Sequence, residues 1–287
     1  MTRLLGETLF LLKKYDIKPK RSLGQHFIVN ENIVERMIKY ADINRNDIVL
    51  EIGAGLGTLT SRLAKHAKKV YAVEVDSKLC EVLHDRFSTV NNVEVLCEDV
   101  LKMNFPSDIN KIVSNLPYSI ATPVTFKILD SIFQLAVLTY QLDVAKRLAA
   151  NPGTRDYGRL TVAVYYRVDV HFLERISKNS FYPRPKVDSA VVVLKPKKKT
   201  FNVSDEKYFL DTVRDLFSYR NKILRKALTL LLSKRNIRKE VLKEISKIME
   251  QEEINLQKRV YTLSPAEFAK IANILYSKTV EEPHDPC

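Results

Sequence analysis

The chain has 287 residues, 45% of them apolar, a formal net charge of +13 and a pI near 9.5. That length and composition suit a chain burying one large core or two ordinary ones, and no apolar run approaches the ~18 residues of a membrane span. The positive excess favours a polyanionic partner, nucleic acid above all. It is uneven, because from Phe201 onward sixteen Lys/Arg face thirteen Asp/Glu, which leaves most of it in the first 200 residues.

Residues 3–15 read as a short amphipathic helix with Leu4, Leu5, Phe10, Leu11 and Leu12 apolar, and no signal-peptide pattern is expected there. A basic, turn-rich stretch over 18–27 follows, and Asn30 is placed to cap a helix over 31–41. Strands at 48–52, 70–75, 93–97, 111–114 and 135–140 then alternate with helices at 58–68, 78–87 and 122–131. This alternation predicts a parallel sheet with right-handed crossovers. Two later apolar runs, 160–166 and 187–194, fit closing strands at an antiparallel edge. Residues 195–200 read as a lysine-rich linker, beyond which strand signals stop.

In the remaining part Ser204 is expected to cap a helix with Phe209, Val213, Leu216 and Phe217 on its core face. Residues 223–232 and 241–248 keep helical period, and Ser264 to Glu267 form a capping box with Pro265 in the first turn, opening a helix through Tyr276. Residues 281–287 read as a frayed tail. The expected organisation is an α/β domain over 1–199, with an amino-terminal helical extension, and a small all-α domain over 200–287. Cys80, Cys97 and Cys287 show no metal spacing. Cys80 and Cys97 fall in an expected helix and strand as small buried hydrophobes, and a reducing cytoplasm is the expected compartment.

The chemistry gathers at the strand ends. Glu51-Ile-Gly53-Ala-Gly55-Leu-Gly57 follows one strand and precedes a helix, so the backbone can turn tightly and a ligand can approach closely. Thr58 stands where the dinucleotide fingerprint needs its last glycine, and no Lys-Ser/Thr follows as in a P-loop. Glu74 ends the second strand, where a carboxylate can accept both hydroxyls of a ribose. Asp99 ends the third and can accept from an adenine amino group. Each acid alone reads equally as a loop residue or cap; three acids at successive strand ends beside a glycine loop point to a nucleoside pocket. Adenosine without a pyrophosphate site points to S-adenosylmethionine. After a fourth strand comes Asn115-Leu116-Pro117-Tyr118. An ordinary turn explains that tetrapeptide alone. Beside a methyl donor it offers an amide and a flat ring to a planar base carrying an amino group.

The glycine loop with Glu51, then Glu74, Asp99 and Asn-Leu-Pro-Tyr, resembles a class I S-adenosylmethionine-dependent methyltransferase acting on adenine N6. More narrowly, the chain from about Lys18 to Ala272 resembles the KsgA/Dim family of small-subunit rRNA adenine dimethyltransferases. That likeness rests also on Ser22-Leu-Gly-Gln25-His-Phe, Gln141 with Val144-Ala-Lys-Arg147, Tyr157-Gly-Arg-Leu-Thr161, residues 181–190 and Arg220-Asn-Lys222. The resemblance implies a Rossmann-like sheet with helices on both faces and an S-adenosylhomocysteine coproduct, with no metal. Gln25, His26 and Ile28 match a lip over the cofactor; many members carry Asn where His26 stands. Gly53 and Gly55 match the glycine loop, Glu74 the ribose ligand and Asp99 the adenine ligand. Asn115 matches the residue between cofactor and target, and Tyr118 with Phe181 the aromatic clamp on the base.

The implied target is two adjacent adenosines near the 3′ end of small-subunit rRNA, in an immature subunit, with the protein acting as a monomer, off any membrane. An exocyclic amine is a poor nucleophile because its lone pair is conjugated with the ring. Acceptors at the Asn115 side chain and the Leu116 carbonyl would favour a more tetrahedral nitrogen, so that positioning and electrostatics carry the catalysis. The competing readings are a methyltransferase on other nucleic acid, a non-catalytic ribosome-assembly factor that kept the fold, and a nucleotide-dependent oxidoreductase. Tyr157 to Arg159 offers a contact to RNA backbone, with a plain surface charge as its alternative.

Overall fold

Four strands of one sheet are short apolar runs, largely buried. The computed structural model describes residues 2–237 and 239–281. Its contacts divide the chain into two units, residues 1–146 with 168–197, and residues 147–167 with 198 onward. The first unit opens with α1 (Arg3–Lys14), the short β1 (Phe27–Ile28) and α2 (Glu31–Ala41), capped by the Asn30 side chain. Then come β2 (Ile48–Ile52), α3 (Thr58–His66), β3 (Lys69–Val73), α4 (Ser77–Phe87) and β4 (Val93–Leu96). They are followed by β5 (Lys111–Asn115), α5 (Ala121–Leu129), β6 (Leu135–Gln141) and α6 (Leu142–Leu148). After an excursion into the second unit, β7 (Val168–Ile176), β8 (Phe181–Tyr182) and β9 (Ser189–Pro196) complete it.

The seven-stranded sheet has the order β4-β3-β2-β5-β6-β9-β7. The first five strands are parallel, and β9 runs antiparallel to both β6 and β7. Val49, Val70, Val113, Val137 and Val191 form one core with Ile33 and Met37 of α2 and Leu59 and Leu63 of α3. Tyr140 points the other way along β6, as strand alternation requires, and its hydroxyl pairs with that of Thr125 on α5 at 2.8 Å. Helices therefore cover both faces. A second, two-stranded ribbon pairs β1 with β8, setting Phe27 opposite Tyr182 and Ile28 opposite Phe181.

The second unit holds α7 (Arg159–Arg167), α8 (Glu206–Phe217), α9 (Leu224–Lys234), α10 (Lys239–Gln251) and α11 (Pro265–Tyr276). Its core joins Tyr157, Val162 and Tyr166 to Phe209, Leu216, Leu228, Val260 and Phe268. Several expectations are corrected here. The run at 160–166 is helix α7, not a strand: its β-branched residues are buried on helical neighbours, and tertiary packing overrides a weak local preference. The antiparallel edge is β7, whose Asp169, His171, Glu174 and Arg175 hide it from a search for apolar runs. Segment 147–167 accordingly groups with the carboxy-terminal helices, where the sequence reading drew one boundary at 199/200. The cap of α8 is Asp205, which accepts from Tyr208 N, rather than Ser204. The capping box at Ser264 and Glu267 is present. Cys80 is buried as expected; Cys97 lies just beyond β4 and is exposed, and Cys287 lies outside the described residues. No described helix is long and apolar enough to cross a membrane.

Candidate active site

The carboxyl ends of β2, β3 and β5 surround a cavity of about 210 Å³. Where β2 ends, the chain turns through Gly53 and Gly55, at φ +72° and +59°. A Cβ on Gly53 would stand 2.6 Å from the Pro117 ring, so the glycine loop and the Asn115–Tyr118 turn are in contact only because that atom is missing. A Cβ on Gly55 would press the Phe27 ring at 3.1 Å.

Glu74, at the end of β3, is organised by backbone. Its Oε2 accepts from Gly55 N at 2.9 Å, and its Oε1 accepts from Val75 N at 2.9 Å and Asp76 N at 3.0 Å. Burial pushes its carboxyl above the ordinary value, against the pull of those N–H groups. Glu51 is 2% exposed, and its Oε2 and the Thr60 hydroxyl have no hydrogen-bond partner among the described residues. Burial pushes the Glu51 carboxyl up to about 8, and the Glu74 charge adds to the rise. Asp99, just beyond β4, also lines the cavity, half-buried, with Oδ1 accepting from Leu101 N at 3.0 Å.

Asn115 borders the same cavity from β5. Its Nδ2 donates to the His26 carbonyl at 2.8 Å, and its Oδ1 accepts from the Thr139 hydroxyl at 2.6 Å. Thr139 is its register partner on β6 and is fully buried. The two bonds fix which way the amide faces. The Oδ1 keeps a second lone pair, so it can accept one more N–H. Leu116 is buried behind it. The Tyr118 hydroxyl pairs with Ser189, and burial pushes its phenol up to about 12. Phe181 is 3% exposed and meets Tyr118 edge-on, with ring centroids 6.4 Å apart and planes at 68°. The two rings do not bound an open slot in this conformation.

The amino-terminal lip closes one side of the cavity with Gln25, His26 and Ile28. His26 Nδ1 donates to the Pro183 carbonyl at 2.6 Å, and its ring lies 5.2 Å from that of Tyr118. The Gln25 amide is already engaged: Nε2 donates to Asp76 at 2.9 Å and Oε1 accepts from Lys20 N at 2.7 Å. Gln25 thus shapes the lip through the protein itself.

The sequence-derived residues converge on this one place: Gly53, Gly55, Glu74, Asp99, Asn115, Gln25, His26 and Ile28 all border the cavity, while Leu116, Tyr118 and Phe181 stand behind the Asn115 turn. Sequence reading missed Thr139, Ser189 and Asp76. In the sequence Thr139 is one hydroxyl in an apolar strand, and Asp76 carries no signal beyond its place just ahead of a helix. The cavity suits an adenosine bearing a cationic tail: glycine backbone allows close approach, Glu74 and Asp99 offer acceptors, and the unpartnered Glu51 oxygen favours a positive neighbour. No group of His, Cys, Asp and Glu among the described residues could hold a metal ion.

In the second unit, Arg155, Arg220 and Arg259 border a cleft with Gly153, Thr154, Asn221 and Tyr261. Arg220 Nη2 donates to the Arg155 carbonyl at 3.1 Å, and its guanidinium lies 5.7 Å from the centre of the Tyr261 ring. Arg259 Nη1 donates to the Asn221 carbonyl at 2.8 Å. Tyr157, read from sequence as an RNA contact, is instead a fully buried core residue whose hydroxyl donates to the Leu263 carbonyl.

Residues 17–277 match the family model for "Ribosomal RNA adenine dimethylase". A protein named as a probable ribosomal RNA small subunit methyltransferase A from Methanosarcina acetivorans is 44% identical over 93% of this chain and 97% of its own. Its counterpart of the same name from Thermococcus sibiricus is 42% identical over 96% and 99%. The crystal structure of a dimethyladenosine transferase from Plasmodium falciparum aligns with a TM-score of 0.76 at 30% identity, covering 88% of this chain and 98% of that one.

Proposed function

The chain belongs to the ribosomal RNA adenine dimethylase family, and we infer that it transfers methyl groups from S-adenosylmethionine to N6 of two adjacent adenosines near the 3′ end of small-subunit rRNA. The observation that carries this reading is the Asn115 amide, fixed by Thr139 and the His26 carbonyl at the wall of a cavity ringed by the glycine loop, Glu74 and Asp99. S-adenosylmethionine supplies a methyl group on a good leaving sulfur.

The protein supplies placement. Glu74 takes the ribose hydroxyls of the cofactor, Asp99 its adenine amino group, and Glu51 the side carrying the positive tail. Asn115 Oδ1 and the Leu116 carbonyl accept from the N6 hydrogens of the target, drawing the nitrogen lone pair out of conjugation and toward the donor. Tyr118 and Phe181 grip the base, which leaves its stack to reach them. Their edge-on contact requires one ring to turn as the base enters. With its phenol pushed up to about 12 and bonded to Ser189, Tyr118 acts as a neutral face rather than as a base. The product ammonium is acidic enough to lose its proton to water, so no strong base is needed.

The arginines of the second unit fit the phosphate backbone of the rRNA, where Arg offers bidentate donors. An immature small subunit as substrate, a cytoplasmic site of action and a monomeric enzyme complete the proposal. Its test supplies labelled S-adenosylmethionine to unmodified small subunits and maps the label after nuclease digestion. Label confined to two adjacent adenosines near the 3′ end is the expected result; label elsewhere, or none, would overturn the target.

A further inference from the structure

One buried carboxylate ties the lip over the cavity to the floor beneath it. Lys20 Nζ and Gln25 Nε2 each reach Asp76 Oδ2 at 2.9 Å. The backbone N–H of Lys20 donates to Gln25 Oε1 at 2.7 Å, so the two lip residues grip each other as well as the carboxylate. Asp76 is 3% exposed, its Oδ1 accepts from Lys78 N at the start of α4, and its own N–H donates to Glu74. Burial by itself raises an aspartate; Lys20 and Gln25 outweigh it and hold this carboxyl below the usual range.

The rest of the amino-terminal segment is fastened on either side of this point. Upstream, Glu7 pairs with Arg86 at 2.6 Å and the Asp16 carbonyl accepts from Lys78 Nζ at 2.8 Å. Downstream, Phe27 and Ile28 are zipped to β8. Between these anchors the lip crosses the cavity, turning at Gly24 with φ +65°, and Asp76 is where its side chains meet α4. A ligand held against Glu74 and the glycine loop has the lip on one side, and its exit is eased when the lip lifts.

We propose that Asp76 is the latch of the cofactor cavity, a positioning residue whose carboxylate pins the lip through Lys20 and Gln25 and so sets how fast the cofactor product escapes. The proposal rests on the reading of the cavity as an S-adenosylmethionine site. Successive methylations each require exchange of spent for fresh cofactor, so the latch opens once per methyl group.

The test measures dissociation of labelled S-adenosylhomocysteine from full-length protein by rapid filtration, beside the rate of tryptic cleavage after the exposed Arg21. Asp76→Asn keeps a good helix cap but presents an amide where Lys20 and Gln25 need an acceptor. Lys20→Met removes the ion pair and leaves the cap untouched. Both variants are expected to release S-adenosylhomocysteine about tenfold faster, the scale of one lost hydrogen bond to a charged group, and to be cut faster after Arg21. Lys20→Arg should restore slow release. Unchanged release and cleavage in both variants would overturn the latch, as would an effect seen with Asp76→Asn and absent with Lys20→Met, which would trace it to the cap and to Glu74. Wild-type protein that holds no S-adenosylhomocysteine would remove the cofactor reading instead, and the cleavage rates would then decide the latch by themselves.

Discussion

Around the glycine loop, polar groups stand about an open cavity and most are already oriented by backbone; around Tyr118 and Phe181, aromatic rings touch edge-on and fill the place a base would take. Glu74 holds its position through three N–H donors, and Asn115 through Thr139 and the His26 carbonyl. Phe181 is buried, and the ring planes lie far from parallel. The cofactor half is preorganised, so its affinity should tolerate little change in geometry. The target half has to be opened, so part of the rRNA binding energy goes into rearranging it. On that division a free nucleoside, with little binding energy to spend on the rearrangement, should be a far poorer substrate than a base delivered by a large RNA.

Asn115 sits where the halves join, and its loss separates them most sharply. Asn115→Ala should lower methyl transfer at least about a hundredfold, the scale for removing one group aimed at the reacting centre. S-adenosylhomocysteine affinity should stay within a few-fold of wild type by calorimetry. Near-normal turnover would mean that the amide does not touch the target nitrogen.

Gly53→Ala attacks the junction from the cofactor side. The added Cβ stands 2.6 Å from Pro117, at a backbone conformation that Ala resists. A loss of about 1–3 kcal/mol in unfolding free energy is expected by denaturant titration, with weakened cofactor binding beside it. Phe181→Ala acts chiefly on the target half and should cost about 1–3 kcal/mol of RNA affinity or turnover, with a smaller effect on cofactor affinity through its β-ribbon partner Ile28.

Glu51 gives the comparison a pH signature. Its folded pKa of about 8 lies above the unfolded carboxylate value, so the neutral form stabilises the fold. That contribution is complete below the unfolded pKa and is lost progressively as pH rises toward 8. Glu51→Gln should therefore narrow the difference in melting temperature between pH 5 and pH 8, and calorimetry of S-adenosylmethionine binding to wild type at pH 7 in buffers of different ionisation enthalpy should show proton release. An identical pH profile in the variant would remove Glu51 as the source. The smallest effect belongs to the second unit: Arg259→Ala should weaken rRNA binding and reduce the slope of log affinity against log salt by about 1, without altering the methylated position.

Much of this was legible in the sequence because the residues concerned answer to local rules. Strands that bring Glu51, Glu74 and Asn115 to their carboxyl ends follow from apolar runs and the alternation of elements, the glycine loop from the need for positive φ, and the Ser264 box from capping. What stayed hidden depends on partners distant in sequence. Residues 160–166 read as a strand until the aromatic core of the second unit makes them a helix. β7 is too polar to stand out, and the ribbon of β1 with β8 joins two residues on each side across more than 150 positions. Thr139 gains its meaning only from its register opposite Asn115, and Asp76 only from a lip that returns to it from fifty residues upstream.

Product identity tests the central claim most directly. Nucleosides from unmodified small subunits incubated with the wild-type protein and S-adenosylmethionine can be separated and weighed by mass spectrometry. The account predicts N6,N6-dimethyladenosine, formed with wild type and lost with Asn115→Ala. Methyl groups on a ring nitrogen, on ribose or on another base, or dimethyladenosine that persists in the Asn115 variant, would contradict it.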